Sequence, residues 1–350
     1  MPRGTTIMGT RGAAAHRQRG LSLIELLVAL ALGAFITIGI IQMFTANQET
    51  YRVNIGQARM QEGARFAMEF LTAPIRMAGF MGCYSEPVGF FEKLNANASA
   101  DYLIDFASPV DGHEATAPGV WSPDLAVLPA DIPTASIVSG TDVLTIRTTD
   151  PRGTRLSAAM ANPNAVVSVR TLPDGETPQY TAQDLFVISD CEKATFFQLT
   201  SATTTATTIN MAHIAGGAAA TPGNAIADIT PDNDVYGLDA TVHRVETQIF
   251  YIAPGAGGGP SLWRKSGYLA APVELVEGIE DLQVLYGIDT DADGVPNRYR
   301  TVQNVGDLAD VRTLRISITA NSVNPVNDVG DGLLRRTFTN TIALRNRIGD

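Results

Sequence analysis

The chain has 350 residues, enough for one sizeable domain or two small ones. Hydrophobic residues make up 45%, which allows a substantial buried core, and only 17% are charged, a balance common in loop-rich β proteins outside the cytoplasm. Net charge is −11; the four arginines Arg3, Arg11, Arg17 and Arg19 precede Leu21 with no acidic residue among them, so the chain from Leu21 onward carries −15. An acidic body of that kind repels phosphate backbones, which argues against broad nucleic-acid binding.

Residues 1–20 are basic and polar, and an apolar run follows from Leu21 to Phe44, interrupted by Glu25. As a helix this run spans roughly 36 Å at 1.5 Å per residue, enough to cross a bilayer core. The arginines ahead of it stay on the cytoplasmic side by the positive-inside rule, which leaves the rest of the chain outside the cytoplasm. A secretory signal has a shorter apolar region followed by a small-residue cleavage site. Here the run is longer, and the candidate site, Gly20-Leu21, precedes it. A carboxylate within a spanning helix costs roughly 2.5–3.5 kcal/mol on insertion scales, so Glu25 needs a partner or a function, unless it snorkels to the interface near the helix start.

Beyond Phe44 the pattern becomes amphipathic. Met60, Ala64, Ala67, Leu71, Ile75 and Ala78 recur at spacings of three and four, while Gln57, Gln61, Arg65 and Glu69 fall elsewhere. One helix is therefore expected from about Leu21 into the low seventies. Pro74 should kink or end it, and Gly79 and Gly82 favour a turn.

The remainder reads as β-rich. Short runs of Val, Ile, Thr and Phe bounded by Gly, Pro, Asp or Asn predict strands over 143–148, 165–169, 185–189, 195–199, 242–252, 282–288, 314–319 and 337–344. Segments 95–133, 201–231 and 253–260 read as irregular, the Thr/Ala/Gly-rich second one as a mobile surface loop and the glycine run within the third as a hairpin tip. The expected architecture is α+β: 1–20 a leader, 21–44 a transmembrane half-helix, 45–78 an amphipathic half-helix, and 79–350 one β-rich head.

Cys83 and Cys191 are free thiols in a cytosol and a disulfide candidate in an oxidising compartment. Two separate buried thiols are the alternative, and a redox role is disfavoured because the pair lacks Cys-x-x-Cys spacing. The run Asp289-Thr-Asp291-Ala-Asp293-Gly294-Val295-Pro-Asn297 begins like a calcium loop, with side-chain oxygens at alternate positions and a carbonyl at Val295. Its twelfth position is Arg300 rather than glutamate, and a strand pattern precedes it, so a structural calcium and a plain solvated turn fit equally. No cofactor is required. His113, His213 and His243 lack metal-ligand spacing. No nucleophile elbow, phosphate loop or dinucleotide fingerprint is present. Trp121 and Trp263 read as core.

Arg19-Gly20-Leu21-Ser22-Leu23-Ile24-Glu25 resembles the class III signal of type IV prepilins. That resemblance implies cleavage between Gly20 and Leu21 by a prepilin peptidase, N-terminal methylation, and contact of Glu25 with the N-terminal ammonium of a neighbouring subunit. Arg76-Met77-Ala78-Gly79-Phe80-Met81-Gly82-Cys83 resembles the end of the first helix in PilW-type minor pilins, although an acidic residue commonly stands there at the place of Pro74. The runs from Gly278 to Asp289 and from Phe338 to Asn346 are also similar to that family; 95–135 and 200–235 are not. The resemblance implies a structural or priming subunit, not an enzyme. It would be held in the inner membrane with a periplasmic head and incorporated in the fibre or at its tip. Its implied partners are other minor pilins, the major pilin, the peptidase and the assembly platform. A calcium-stabilised adhesin displayed on the pilus, and a pseudopilin of a type II secretion system, are the alternatives.

Overall fold

The computed structural model describes residues 22–83, 90–95, 102–171, 180–216, 222–267, 270–327 and 329–347. The architecture is α+β: one helix, Leu23–Met77, then four sheets. Two compact units divide at Val53/Asn54.

Among the described residues the first unit is helix alone. Its residues from Ser22 to Arg52 are all exposed, although most are Leu, Ile, Ala, Val, Met or Phe. Its hydroxyls fold back on the helix: Thr37 Oγ1 donates to the Gly33 carbonyl at 2.7 Å and Thr50 Oγ1 to that of Ala46 at 2.8 Å. A helix that satisfies its polar groups within itself is what an apolar solvent tolerates.

In the second unit the helix carries the stripe that the sequence predicts. Met60, Ala64, Ala67, Leu71 and Ile75 are buried, as is Ala78 just past its end, while Gln57, Gln61, Arg65 and Glu69 are exposed. The small residues let sheet and helix come close; a Cβ on Gly56 would lie 2.6 Å from Val326 Cγ1. The stripe packs into one core with Leu144, Ile146, Phe250 and Ile252 of a six-stranded sheet and with Leu282, Val284, Leu314 and Ile316 of a four-stranded one. The six-stranded sheet runs, in spatial order, Val273–Glu277, Pro260–Ser266, Gln248–Pro254, Val143–Ile146, Val110–Ala117, Val120–Ser122. The four-stranded sheet runs Arg298–Arg300, Ile279–Ile288, Val311–Asn321, Arg335–Ala343. Both are antiparallel throughout.

A second core lies between a five-stranded sheet (Phe90–Glu92, Ala194–Gln198, Leu185–Ser189, Thr241–Arg244, Thr154–Arg155) and a three-stranded one (Val167–Arg170, Thr208–Ala212, Ser201–Thr204). It is filled by Phe186, Ile188, Phe197, Ile209 and Met211.

The helix end is where these parts meet. The helix runs three residues past Pro74, and the chain then turns at Gly79 (φ +75°) and Gly82 (φ +83°). The carbonyls of a last helical turn lack intrahelical donors, and here side chains from distant strands supply them. Thr148 Oγ1 donates to the Met77 carbonyl at 2.9 Å, and Asn346 Nδ2 donates to those of Met77 and Ala78 at 3.3 and 3.1 Å. Thr149 Oγ1 donates to the Phe80 carbonyl at 3.0 Å and Ser189 Oγ to that of Met81 at 2.9 Å. The Gly79 amide in turn donates to the Arg147 carbonyl at 2.8 Å.

Several expectations are corrected. The run 242–252 is two strands in two sheets, broken at 245–247, where the Val245 amide donates to Leu185 and the Glu246 amide to Thr148. Hydrophobic alternation cannot show that a strand changes sheet. The segment 201–231 is not one long loop: Ser201–Thr204 pairs with Thr208–Ala212, whose Ile209 and Met211 point into the second core. Threonine is β-branched, and that alternation was the overlooked signal. The irregular reading of 95–133 also misses Val110–Ala117, where Gly112, His113 and Asp111 mask a central strand. A Cβ on Gly112 would lie 2.5 Å from the Tyr286 hydroxyl and from the Val143 carbonyl oxygen, so only glycine fits that strand position. The hairpin tip at the glycine run is present, closed by the Gly255 amide on the Gly259 carbonyl at 2.8 Å.

Arg147 is 1% exposed. Its guanidinium donates to the carbonyls of Tyr102 (2.7 Å) and Ser108, pairs with Asp111 at 3.3 Å and lies over the Tyr102 ring. Nearby, Asp142 accepts the amides of Ala115 at 3.1 Å and Val284 at 2.9 Å, joining the two sheets that flank the helix. Burial pushes its carboxyl up to about 6, against the pull of those amides. Burial, with Asp142 adding, pushes Glu114 up to about 7.

Two predictions follow from this packing. Asn346→Ala takes the side-chain donor from the Ala78 carbonyl, while that of Met77 keeps Thr148 Oγ1 and the Phe80 amide; it should cost about 1–3 kcal/mol, read from urea denaturation, while Asn340→Ala on an exposed strand face stays within about 0.5 kcal/mol. Carboxyls raised on folding hold their protons more tightly in the native state, so their contribution is full at low pH and is lost as pH rises from about 4 through about 7. Glu114→Gln should therefore flatten the fall of Tm across that window relative to the parent chain.

Candidate functional site

The helix start is the first candidate. Ser22 caps it: its Oγ accepts the Glu25 amide at 3.2 Å, while a Glu25 carboxylate oxygen accepts the Ser22 amide at 3.0 Å. This reciprocal pair is a capping box, and it satisfies two donors that the first turn otherwise leaves open. Glu25 is the only charged residue from Ser22 to Gln48. Its charge lies at the positive end of the helix dipole, which lowers the cost of carrying it in an apolar segment. The role of Ser22 was missed in reading the sequence, although Ser-x-x-Glu ahead of an apolar run is a recognisable cap signature. Gly20 and Leu21, the expected processing site, lie outside the described residues.

The second candidate is the covalent link. Cys83 and Cys191 form a disulfide with Cα atoms 4.8 Å apart, at a sequence separation of 108. Cys83 follows the turn at the helix end, and Cys191 lies in the turn between Leu185–Ser189 and Ala194–Gln198. Ser189, two residues before Cys191, holds the Met81 carbonyl, so the bond reinforces a junction already made by hydrogen bonding.

The third is the aspartate loop between Ile279–Ile288 and Arg298–Arg300. Asp289, Asp291 and Asp293 each bring one carboxylate oxygen within 4.8 Å of the others. Asp289 is buried; Asp291, Asp293, Val295 and Asn297 are on the surface or near it. Burial works against charge on Asp289, but the amides of Gly294, Asp291, Ala292 and Asp293 outweigh it and hold the carboxyl below the usual carboxylate range. Asn297 does not face the cluster with its oxygen. Its Oδ1 accepts the Thr290 amide at 2.8 Å, and its Nδ2 donates to both oxygens of Asp291 at 3.1 and 3.0 Å. The Val295 amide donates to Asp293 at 2.8 Å.

The histidines are core residues. His113 faces the Pro123 carbonyl at 2.8 Å and the Tyr102 hydroxyl at 3.2 Å; His213 faces the carbonyls of Ala165 and Ala227; His243 faces the Asp150 carbonyl and the Thr241 hydroxyl. Burial lowers the pKa of all three. Trp121 and Trp263 are half-buried, with indole N–H groups on the carbonyls of Thr141 and Ala253.

Removing the disulfide should be costly. The Cys83→Ser/Cys191→Ser variant is expected to lose about 4–5 kcal/mol in the chain-entropy picture of a loop this long. Thermal unfolding of the parent with and without reductant checks it: reductant should reproduce the loss in the parent and leave the double variant unchanged.

Comparison with known proteins places matches at both ends. Residues 15–41 match the prokaryotic N-terminal methylation motif, and residues 249–346 match the family of type IV pilus-assembly protein W. No curated protein and no solved structure matches the chain significantly. The methylation motif covers the helix start with Glu25. The second match covers the strands that pack on the helix stripe, the aspartate loop and Asn346 at the helix end. The two matches together support a type IV pilin of the PilW family.

Proposed function

We propose that this chain is a minor pilin acting in type IV pilus assembly, a structural and priming subunit without enzymatic activity. The observation that carries the reading is the exposed apolar helix bearing one carboxylate in its first turn, within a methylation-motif match. Prepilin peptidase cuts between Gly20 and Leu21, and the helix then serves first as an inner-membrane anchor and later as a fibre element, with the head in the periplasm. The other minor pilins, the major pilin and the assembly platform are its partners.

The capping box gives Glu25 two states. In the membrane its carboxylate accepts its own chain's Ser22 amide. In the fibre the N-terminal ammonium of a neighbouring subunit competes for the same carboxylate and offers a full charge instead of an amide dipole. An ion pair in an apolar surrounding is far stronger than in water, so the exchange favours assembly and sets axial register. The PilW match over 249–346 favours the pilus over a secretion pseudopilus.

Mass spectrometry of the membrane-extracted protein, with and without a functional prepilin peptidase, tests maturation. A methylated N-terminus at Leu21 that appears only with the peptidase is expected; an intact Met1 end, or a cut beyond Phe44, rejects the reading. Glu25→Val should be processed normally yet drop out of sheared pilus fractions, as immunoblotting would show.

A further inference from the structure

We infer that the loop between strands Ile279–Ile288 and Arg298–Arg300 is a calcium site, with carboxylate ligands from Asp289, Asp291 and Asp293. Acidic residues gathered on a surface are common without a cation. What separates this cluster is the state of Asp289. The residue is 4% exposed. Its Oδ2 accepts the Gly294 amide at 2.9 Å. Its Oδ1 is shut away from water and makes no hydrogen bond; the amides of Asp291, Ala292 and Asp293 act on the carboxylate without closing one on that oxygen. A buried anionic oxygen without a donor is a costly arrangement unless a cation faces it.

Arg312 does not fill that place. Its Nε lies 3.6 Å from Oδ2, outside hydrogen-bonding distance, and is itself buried with no hydrogen-bond partner, while its Nη1 donates to the Ala309 carbonyl at 2.8 Å. One guanidinium also leaves three clustered carboxylates with a net charge of −2. The two outer ligands are pre-positioned. Asn297 grips both oxygens of Asp291 through its Nδ2, and the Val295 amide holds one oxygen of Asp293. Asn297 is thus a positioning residue rather than a ligand.

The ligand chemistry selects the ion. Three carboxylates and no sulfur or imidazole favour a hard cation. The outer two aspartates are exposed, so water completes the shell, and an irregular shell of this kind suits calcium better than magnesium, which demands near-octahedral geometry. Arg300 stands where a bidentate glutamate would strengthen an EF-hand-type loop. The expected affinity is accordingly that of extracellular modules, with Kd roughly 10⁻⁴–10⁻³ M. The site also has a structural consequence: the Asp289 amide donates to the Asp310 carbonyl at 3.0 Å, one residue before Val311–Asn321 begins. A cation here would fasten the tip of the hairpin to the strand that forms the middle of the four-stranded sheet.

The test uses the full-length chain in detergent, stripped with EDTA and titrated with CaCl₂ or MgCl₂ by equilibrium dialysis and thermal unfolding. A single saturable calcium site and a calcium-dependent rise in Tm are expected, with at least about tenfold weaker binding of magnesium. Asp291→Asn/Asp293→Asn, at exposed positions that leave the fold intact, should abolish both effects while keeping the Tm of the metal-free protein within a few degrees. Asp289→Asn should do the same where it folds. Absence of saturable calcium binding up to about 10 mM, a range that covers such modules, would overturn the inference, as would unchanged binding in the Asp291/Asp293 variant. None of these outcomes depends on whether the chain enters a pilus.

Discussion

A helix that ends inside a protein has to find donors for its last carbonyls, and the head of this chain is arranged around that requirement. The donors come from Thr148, Thr149, Ser189 and Asn346, which lie on three different strands or just beyond them. None is near the helix in sequence. Each unsatisfied interior carbonyl would cost on the order of 1–3 kcal/mol, comparable to a large part of a domain's net stability. The apolar stripe from Met60 to Ile75 supplies the burial energy, but a stripe of small and aliphatic side chains slides easily. The hydrogen bonds at Met77, Ala78, Phe80 and Met81 fix where it stops.

That division explains what the sequence could tell. The helix, its buried face and the positions of six of its core residues were legible because periodicity reports directly on which side of a helix meets a core. The strands predicted over 185–189, 282–288 and 314–319 were legible as short runs rich in Val, Ile, Thr and Phe, although the last two extend further, to Ile279–Ile288 and Val311–Asn321. The polar half of the structure was not. Arg147 falls within the predicted strand 143–148 with nothing in the sequence to mark its surroundings, and it is buried with its guanidinium on two carbonyls and a carboxylate. Gly112 falls in the segment read as irregular and Asp142 just ahead of a predicted strand, yet both lie where the two sheets meet over the helix. Long-range partners decide such positions, and a single sequence contains no record of distance.

The candidate sites divide in the same way. The cysteine pair and the aspartate spacing were visible as patterns, since both depend on residue type at a fixed place. Ser22 was legible in principle, since a serine three residues ahead of a glutamate and an apolar run is a capping-box pattern. Asn297 was read as a ligand because its position in the loop matched, but its amide is engaged with Thr290 and Asp291. Whether an amide offers oxygen or nitrogen depends on its neighbours, which spacing does not reveal.

The three stretches that resemble the PilW family lie far apart in the chain and close together in the fold. The run ending at Cys83 is the helix end itself. The run from Gly278 to Asp289 is the strand that carries Leu282 and Val284 to the helix stripe. The run from Phe338 to Asn346 pairs with the next strand, through Phe338–Ile318 and Ile342–Leu314, and delivers Asn346 to the carbonyls of Met77 and Ala78. In this chain the three stretches therefore form a contiguous structural unit that holds one helix. The second core, around Phe186, Phe197 and Met211, is built from stretches without that likeness. Near that core Met81 packs against Leu185, Val187 and Phe196 in a separate cluster, beside the Ser189 bond and the Cys83–Cys191 disulfide. The covalent link therefore fastens the helix end to the five-stranded sheet of the second core, where hydrogen bonding and apolar packing already join them.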